Sequence, residues 1–186
     1  MSAGRLEGHL RLDHPDSQIR PLAAADDVFS RALFREQRAA QFAPLGLGDG
    51  ALAAMLDQQF KAQRMATTRR FPDAEAFVIV HAGCKVGRLI VTRRAGSPAG
   101  SEGTALRPSQ GPALHLIDLA IVPAARNRGI GSDVINGLAR AGNALGATRI
   151  TLSVLQTNEA ARRLYERLGF STAADGVYTA MVRHLE

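Results

Sequence analysis

The sequence predicts an α/β fold, and three observations carry that prediction. Segments with helical spacing of apolar residues alternate with β-branched, strand-like segments. The stretch "ALHLIDLAIV" (113–122) is near-continuously apolar, as a central strand buried on both faces requires. "ARNRGIGSDVINGLARAG" (125–142) then sets Gly129 and Gly131 between that strand and a helical pattern. A length of 186 residues suits one domain. The expected organisation is a flexible tail over 1–17 and a single domain over 18–186, with a mobile loop at 95–112.

Residues 1–17 are polar and show no sustained period, which is why they read as a loose tail. Gln18 to Arg20 read as a short strand stopped by Pro21, and a helix begins near Asp26 with Val28, Leu33 and Phe34 at near-helical spacing. "FAPLGLGDG" breaks it. The second helix, Gly50 to Arg70, aligns Leu52, Met55, Leu56, Phe60 and Met65 toward a core, and Pro72 limits its length. "EAFVIVHAGCKVGRLIVTRR" (75–94) reads as a hairpin turning at "HAGCK". Ala95 to Pro112 is rich in Gly, Ser and Pro, hence the expected mobile loop. Beyond the long strand, Pro123 and the glycine turn lead to a helix carrying Val134, Ile135, Leu138 and Leu145. The strand "TRITLSVL" (148–155), a helix from Asn158 to Leu168 and strands around Val177 to Val182 complete the order.

The formal net charge is +6, yet Lys61 and Lys85 are the only lysines and the arginines are scattered. Excess positive charge concentrates polyanions, phosphorylated cofactors included, without selecting one. No recognition helix or aromatic stacking motif accompanies it, so no nucleic-acid partner is expected. No apolar run approaches the ~18 residues that cross a bilayer, and the N-terminus lacks a signal-peptide core; no membrane partner and a cytoplasmic location are the expectations. Cys84 is the single cysteine, which excludes an intrachain disulfide and suggests a buried or idle thiol. His9, His14, His81 and His184 show no ligand spacing, so no metal is expected.

The glycine turn carries the chemistry. The first-turn amides of a helix lack intrahelical partners and lie at the positive end of its dipole, so their natural guest is an anion such as a phosphate. The spacing is not Gly-x-Gly-x-x-Gly and no Gly-Lys-Ser/Thr follows, which removes the main support for dinucleotide or ATP binding. Arg-x-x-Gly-x-Gly remains.

"LIDLAIVPAARNRGIGSDVI" (116–135) together with "NEAARRLYERLGF" (158–170) resembles the GNAT superfamily of acyl-CoA-dependent N-acetyltransferases. Arg126, Gly129 and Gly131 stand at its Arg/Gln-x-x-Gly-x-Gly/Ala positions, and Asn158, Ala161, Leu164, Tyr165, Gly169 and Phe170 match its second motif. The resemblance implies a mixed, centrally splayed β-sheet flanked by helices. It implies acetyl-CoA as cosubstrate, with the pyrophosphate on the backbone from Arg126 through Asn127, Arg128, Gly129, Ile130 and Gly131 to Ser132. Pantetheine would pair with Ile121, and the Leu119 amide would hold the thioester oxygen. Asn158 would bond the pantetheine arm, cap its helix, or do both. Tyr165 would be the general acid for the leaving thiolate, or a packing residue. The base is His115, Asp118 or a water chain: His115 shares a face with Leu119 if the strand is regular, whereas Asp118 needs a bulge to join them. Gln58, Gln59 and Gln63 would either wall the acceptor pocket or lie in solvent.

The activity so implied is acetyl transfer to a primary amine of a small molecule or peptide in a direct ternary complex. The alternative is a non-catalytic acyl-CoA sensor or scaffold on the same fold. Homodimers occur in the family, and no residue pattern here marks an interface.

Overall fold

The strand-like segments pair into one seven-stranded sheet in the order β1-β2-β3-β4-β5-β7-β6. The computed structural model describes residues 5–42, 44, 46–94 and 111–186. The strands are β1 (Ser17–Pro21), β2 (Glu75–His81), β3 (Cys84–Arg94), β4 (Ala113–Ile121), β5 (Arg149–Leu155), β6 (Ser171–Ala174) and β7 (Tyr178–His184). The helices are α1 (Asp27–Phe42), α2 (Asp49–Arg70), α3 (Ile130–Ala144) and α4 (Glu159–Arg167). β4 and β5 run parallel and every other pairing is antiparallel, so the sheet is mixed. The β2–β3 hairpin turns through Ala82 and Gly83, both at positive φ (48° and 77°), as a two-residue hairpin loop requires.

Apolar residues of β2 to β5 and of α3 build the main core, whereas Phe34, Leu56 and Phe60 form a second cluster between α1 and α2. Met65, expected to face the core, lies outside, and so does Val28 of the α1 pattern. Val28 is 79% and Met65 57% exposed. Met65 stands five residues beyond Phe60, about 140° around the helix from the buried Leu56–Phe60 line, and Val28 is offset equally from Leu33. Cys84 is exposed rather than buried, at the start of β3 beside the hairpin turn.

The expectation of a loose tail over 1–17 does not hold from Arg5 onward. Leu6 and Leu10 are fully buried in the main core, each contributing roughly 1.5–3 kcal/mol of apolar transfer. The Leu6 N–H donates to Glu75 Oε1 at 3.1 Å, and the N–H groups of Asp13 and His14 donate to the Asp133 carboxylate at 2.8 and 3.2 Å. The segment lies so close to α3 that a Cβ on Gly137 would collide with the Arg11 carbonyl. The loop expected at 95–112 lies, for residues 95–110, outside the described residues; Pro112 itself accepts a 2.8 Å bond from the Thr148 N–H. Among the described residues no helix is long and apolar enough to cross a membrane, and no group of His, Cys, Asp or Glu is arranged to hold a metal ion.

One buried carboxylate ties β1, α1 and β3 together. Asp26 accepts from Arg20 Nη1 and Nη2 (2.7 and 2.9 Å), from Lys85 Nζ (2.6 Å) and from the Ala23 N–H (2.9 Å). The Arg20 bonds, then Lys85 and Ala23, hold its pKa far below the usual carboxylate range against the opposing effect of burial. A lowered pKa means stability present above the unfolded value near 4 and lost as pH falls below it. Asp26→Asn is therefore expected to destabilise the protein by about 1–3 kcal/mol at pH 7, with the gap to wild type narrowing on acidification below about pH 4. Thermal melts across pH read this directly; a gap that persists unchanged at pH 3 contradicts it.

Candidate functional site

The site begins where two parallel strands part. β4 pairs with β5 only from Ala113 to Leu116, although both strands continue. At the same point β4 carries an extra residue, since Ile90 of β3 faces Asp118 while Val91 faces Leu116, leaving Ile117 as a bulge. Beyond it, Val122 donates to the Val86 carbonyl of β3 at 2.9 Å. Backbone groups alternate in direction along a strand, so the N–H groups of Leu119 and Ile121 point away from β3 into the gap. The Ile121 carbonyl faces it as well and accepts from Arg126 Nε at 3.0 Å.

The bulge also redistributes side chains. Asp118 and Ile117 line a cavity on the α1/α2 side, and His115 packs on Phe71, which lines the same cavity. Leu119 and Ile121 pack on the main core toward α3. The bulge thus brings His115 and Asp118 to one face and separates His115 from the Leu119 side chain, against the regular-strand expectation.

The glycine turn closes one end of the gap. Pro123–Ala125 form a 3-10 turn, Arg126 is extended, and Asn127 and Gly129 are left-handed at φ 59° and 79°. Gly129 is the N-cap of α3 with no side-chain cap, so the first-turn amides of Ile130, Gly131 and Ser132 keep their donors. A Cβ on Gly129 would meet nothing within 4 Å; its backbone angle is what calls for glycine. Gly131 differs: a Cβ there would lie 3.4 Å from Leu164 Cδ2 and 3.5 Å from Ile121 Cδ1. The end of β4, the start of α3 and α4 therefore converge on Gly131. Arg128 lies exposed in the turn.

α4 borders the gap opposite β4. Asn158 caps it, its side chain accepting from the Ala161 N–H at 3.3 Å, so the capping role is present. Tyr165, 8% exposed, packs its ring 5.5 Å from Phe170. Burial, and then the nearby Asp118 carboxylate, push its pKa up to about 12.

The cavity measures about 240 Å³. Its walls are mainly apolar, with Phe34, Phe60, Phe71, Ile90 and Ile117 prominent, and it holds two ion pairs. Asp27 is fully engaged by Arg64 (2.6 Å) and Arg31 (2.9 Å). Arg88, 7% exposed within the apolar run of β3, donates through Nε and Nη2 to one oxygen of Asp118, Oδ2, at 3.1 and 2.7 Å. Of the glutamines, Gln63 lines the cavity and accepts from Arg38 at 3.3 Å; Gln58 and Gln59 do not line it. Sequence reasoning missed Arg88 and Phe71, and read Phe34 and Phe60 only as part of helical apolar patterns. A lone cation inside "VGRLIV" was a signal for the former, because a buried charge needs a partner.

His115 shares a 2.9 Å hydrogen bond with Thr151 Oγ1. Burial first, then the positive charges of Arg94 and Arg70, pull its pKa down to about 4.

A sequence model of the acetyltransferase (GNAT) family matches residues 46–170. No curated protein matches the chain by sequence. The structure of the PaiA N-acetyltransferase of Thermoplasma acidophilum in complex with coenzyme A superimposes with a TM-score of 0.65 at 14% identity, over 90% of this chain and 98% of that one. An acetyltransferase of Thermus thermophilus gives 0.62 at 21% identity, over 95% and 99%. YncA of Salmonella typhimurium, described as a putative acetyltransferase with its cofactor acetyl-CoA, gives 0.54 at 18% identity, over 92% and 95%.

His115 is expected to stay neutral throughout pH 6–8. A histidine pKa lowered on folding opposes folding once the unfolded chain begins to protonate near pH 6.5. Imidazole NMR shifts of His115 should be flat above about pH 5.5, and a midpoint near 6.5 contradicts the buried environment.

Proposed function

The chain belongs to the GNAT acetyltransferase family, and from that premise we propose that it transfers an acetyl group from acetyl-CoA to a primary amine held in the cavity between α1, α2 and the sheet. The observation that supports this most is the parting of β4 from β5 beside an uncapped α3 start, with Asp118 reaching the cavity from the same stretch of strand.

The residues present fit acetyl-CoA. Unpartnered first-turn amides of α3 suit a pyrophosphate, and a larger side chain at Gly131 would fill the space between Ile121 and Leu164. The Ile121 backbone would receive the pantetheine arm as a surrogate strand. Arg126 must then release the Ile121 carbonyl, which frees its guanidinium for phosphate.

Acetyl-CoA supplies the activated thioester. The Leu119 N–H is aimed into the gap, where it would donate to the thioester oxygen and hold the charge that develops there. The acceptor amine loses one proton, through Asp118 Oδ1 to water, and its nitrogen attacks the carbonyl carbon. The C–N bond forms, the C–S bond breaks, the departing sulfur takes the Tyr165 hydroxyl proton, and the second proton leaving the nitrogen returns to the Tyr165 oxygen through solvent, which gives the neutral amide. One proton is released per turnover. With a pKa of about 12, Tyr165 remains protonated at neutral pH and so serves as acid. His115, at about 4, is too weak a base at neutral pH, and its role in this reading is to pack against Phe71.

Thiol release from acetyl-CoA in the presence of an amine library tests the reaction. Tyr165→Phe should lower kcat by roughly 10²–10⁴ while leaving acetyl-CoA affinity by calorimetry nearly unchanged. Turnover within a few fold of wild type removes Tyr165 as the acid. Tight acetyl-CoA binding with no amine acetylated favours the sensor reading instead.

Gly131→Val should weaken acetyl-CoA binding at least tenfold, about 1.4 kcal/mol. Gly131→Ala, whose Cβ meets ordinary contacts, should fold as wild type and serve as the control. Equal affinity in a folded Gly131→Val protein contradicts the cradle.

A further inference from the structure

The cavity holds four charged groups, Asp27, Arg64, Arg88 and Asp118, and their formal charges cancel. They are not equally committed. Both oxygens of Asp27 are taken by arginines. At the other pair, Arg88 spends Nε and Nη2 on Asp118 Oδ2 alone, which leaves Asp118 Oδ1 and Arg88 Nη1 without hydrogen-bond partners among the described residues. Two residues that line the cavity thus each keep one uncommitted polar atom, an anionic acceptor on Asp118 and a cationic donor on Arg88. Around them stand the rings of Phe34, Phe60 and Phe71, with the Arg88 guanidinium carbon 6.0 Å from the centre of the Phe60 ring.

We propose that the acceptor is a free α-amino acid with an apolar or aromatic side chain, its ammonium at Asp118 Oδ1, its carboxylate at Arg88 Nη1 and its side chain among Phe34, Phe60 and Phe71. This rests on the acetyl-transfer reading and names its substrate class. A zwitterion matches the alternating charges of an electrically balanced pocket. A polyamine or aminoglycoside would set surplus positive charge against Arg64 and Arg88. A cavity of about 240 Å³ is below the roughly 300–1,000 Å³ of sites for drug-sized ligands, so the occupant is compact. Guanidinium geometry suits a carboxylate, and the buried position of Arg88 strengthens that bond relative to a solvated one. Acetylation removes the ammonium charge that Asp118 holds, while the carboxylate stays with Arg88; the product keeps one anchor of two and departs more readily.

The test compares four amines in the thiol-release assay: L-phenylalanine, L-phenylalaninamide, phenethylamine and spermidine. Wild type should use L-phenylalanine with kcat/KM at least tenfold above the amide and phenethylamine, neither of which has a carboxylate, and above spermidine. In Arg88→Met and in Arg88→Lys the ratio of L-phenylalanine to phenethylamine should collapse to within a few fold, chiefly through KM for the amino acid. A structural defect would lower both substrates together and leave the ratio intact. Calorimetry of L-phenylalanine on wild type with coenzyme A present reads binding without turnover and should show saturable uptake. Preference for the amide, phenethylamine or spermidine in wild type overturns the substrate assignment while leaving acetyl transfer standing. No thiol release with any amine, despite acetyl-CoA binding, overturns acetyl transfer and this assignment with it.

Discussion

A single extra residue in β4 is the constraint from which the site follows. Two parallel strands joined by regular hydrogen bonds leave no backbone groups for a guest. The Ile117 bulge coincides with the end of β4–β5 pairing at Leu116. Past that point the Leu119 and Ile121 amides face open space, and Asp118 is turned onto the cavity face that His115 already occupies. The same irregularity thus opens a backbone edge on one side of β4 and delivers a carboxylate to the other.

Electrostatics separates two carboxylates of similar surroundings. Asp26 and Asp118 each meet a guanidinium, yet Asp26 is saturated by Arg20, Lys85 and the Ala23 N–H and acts as a knot between β1, the start of α1 and β3. Asp118 keeps one oxygen uncommitted beside a cavity. Saturation makes a structural group; an oxygen left open beside a cavity remains available to a guest. The overall charge of +6 is not reflected in that cavity, whose four charged side chains cancel. Net charge is a property of the surface and says little about a pocket that selects its own partners.

The sequence by itself determined the order of helices and strands through α4, the central position of the apolar strand, the glycine turn at the α3 start and the aromatic on α4, because each rests on local spacing or backbone demands; of the strands expected around Val177 to Val182 only β7 lies there, β6 preceding them at Ser171–Ala174. Local pattern failed where contacts are distant. Leu6 and Leu10 lack a periodic neighbourhood, so only their packing into the core shows that the N-terminal segment is part of the body; Gly137, mid-helix, was its one faint trace. Tertiary structure alone decided the pairing of Arg88 with Asp118, 30 residues apart, the phenylalanine cavity drawn from α1, α2 and the residue after α2, and the depressed basicity of His115. Those depend on which side chains meet across the sheet, and one bulge, invisible to a period of two, sets that register.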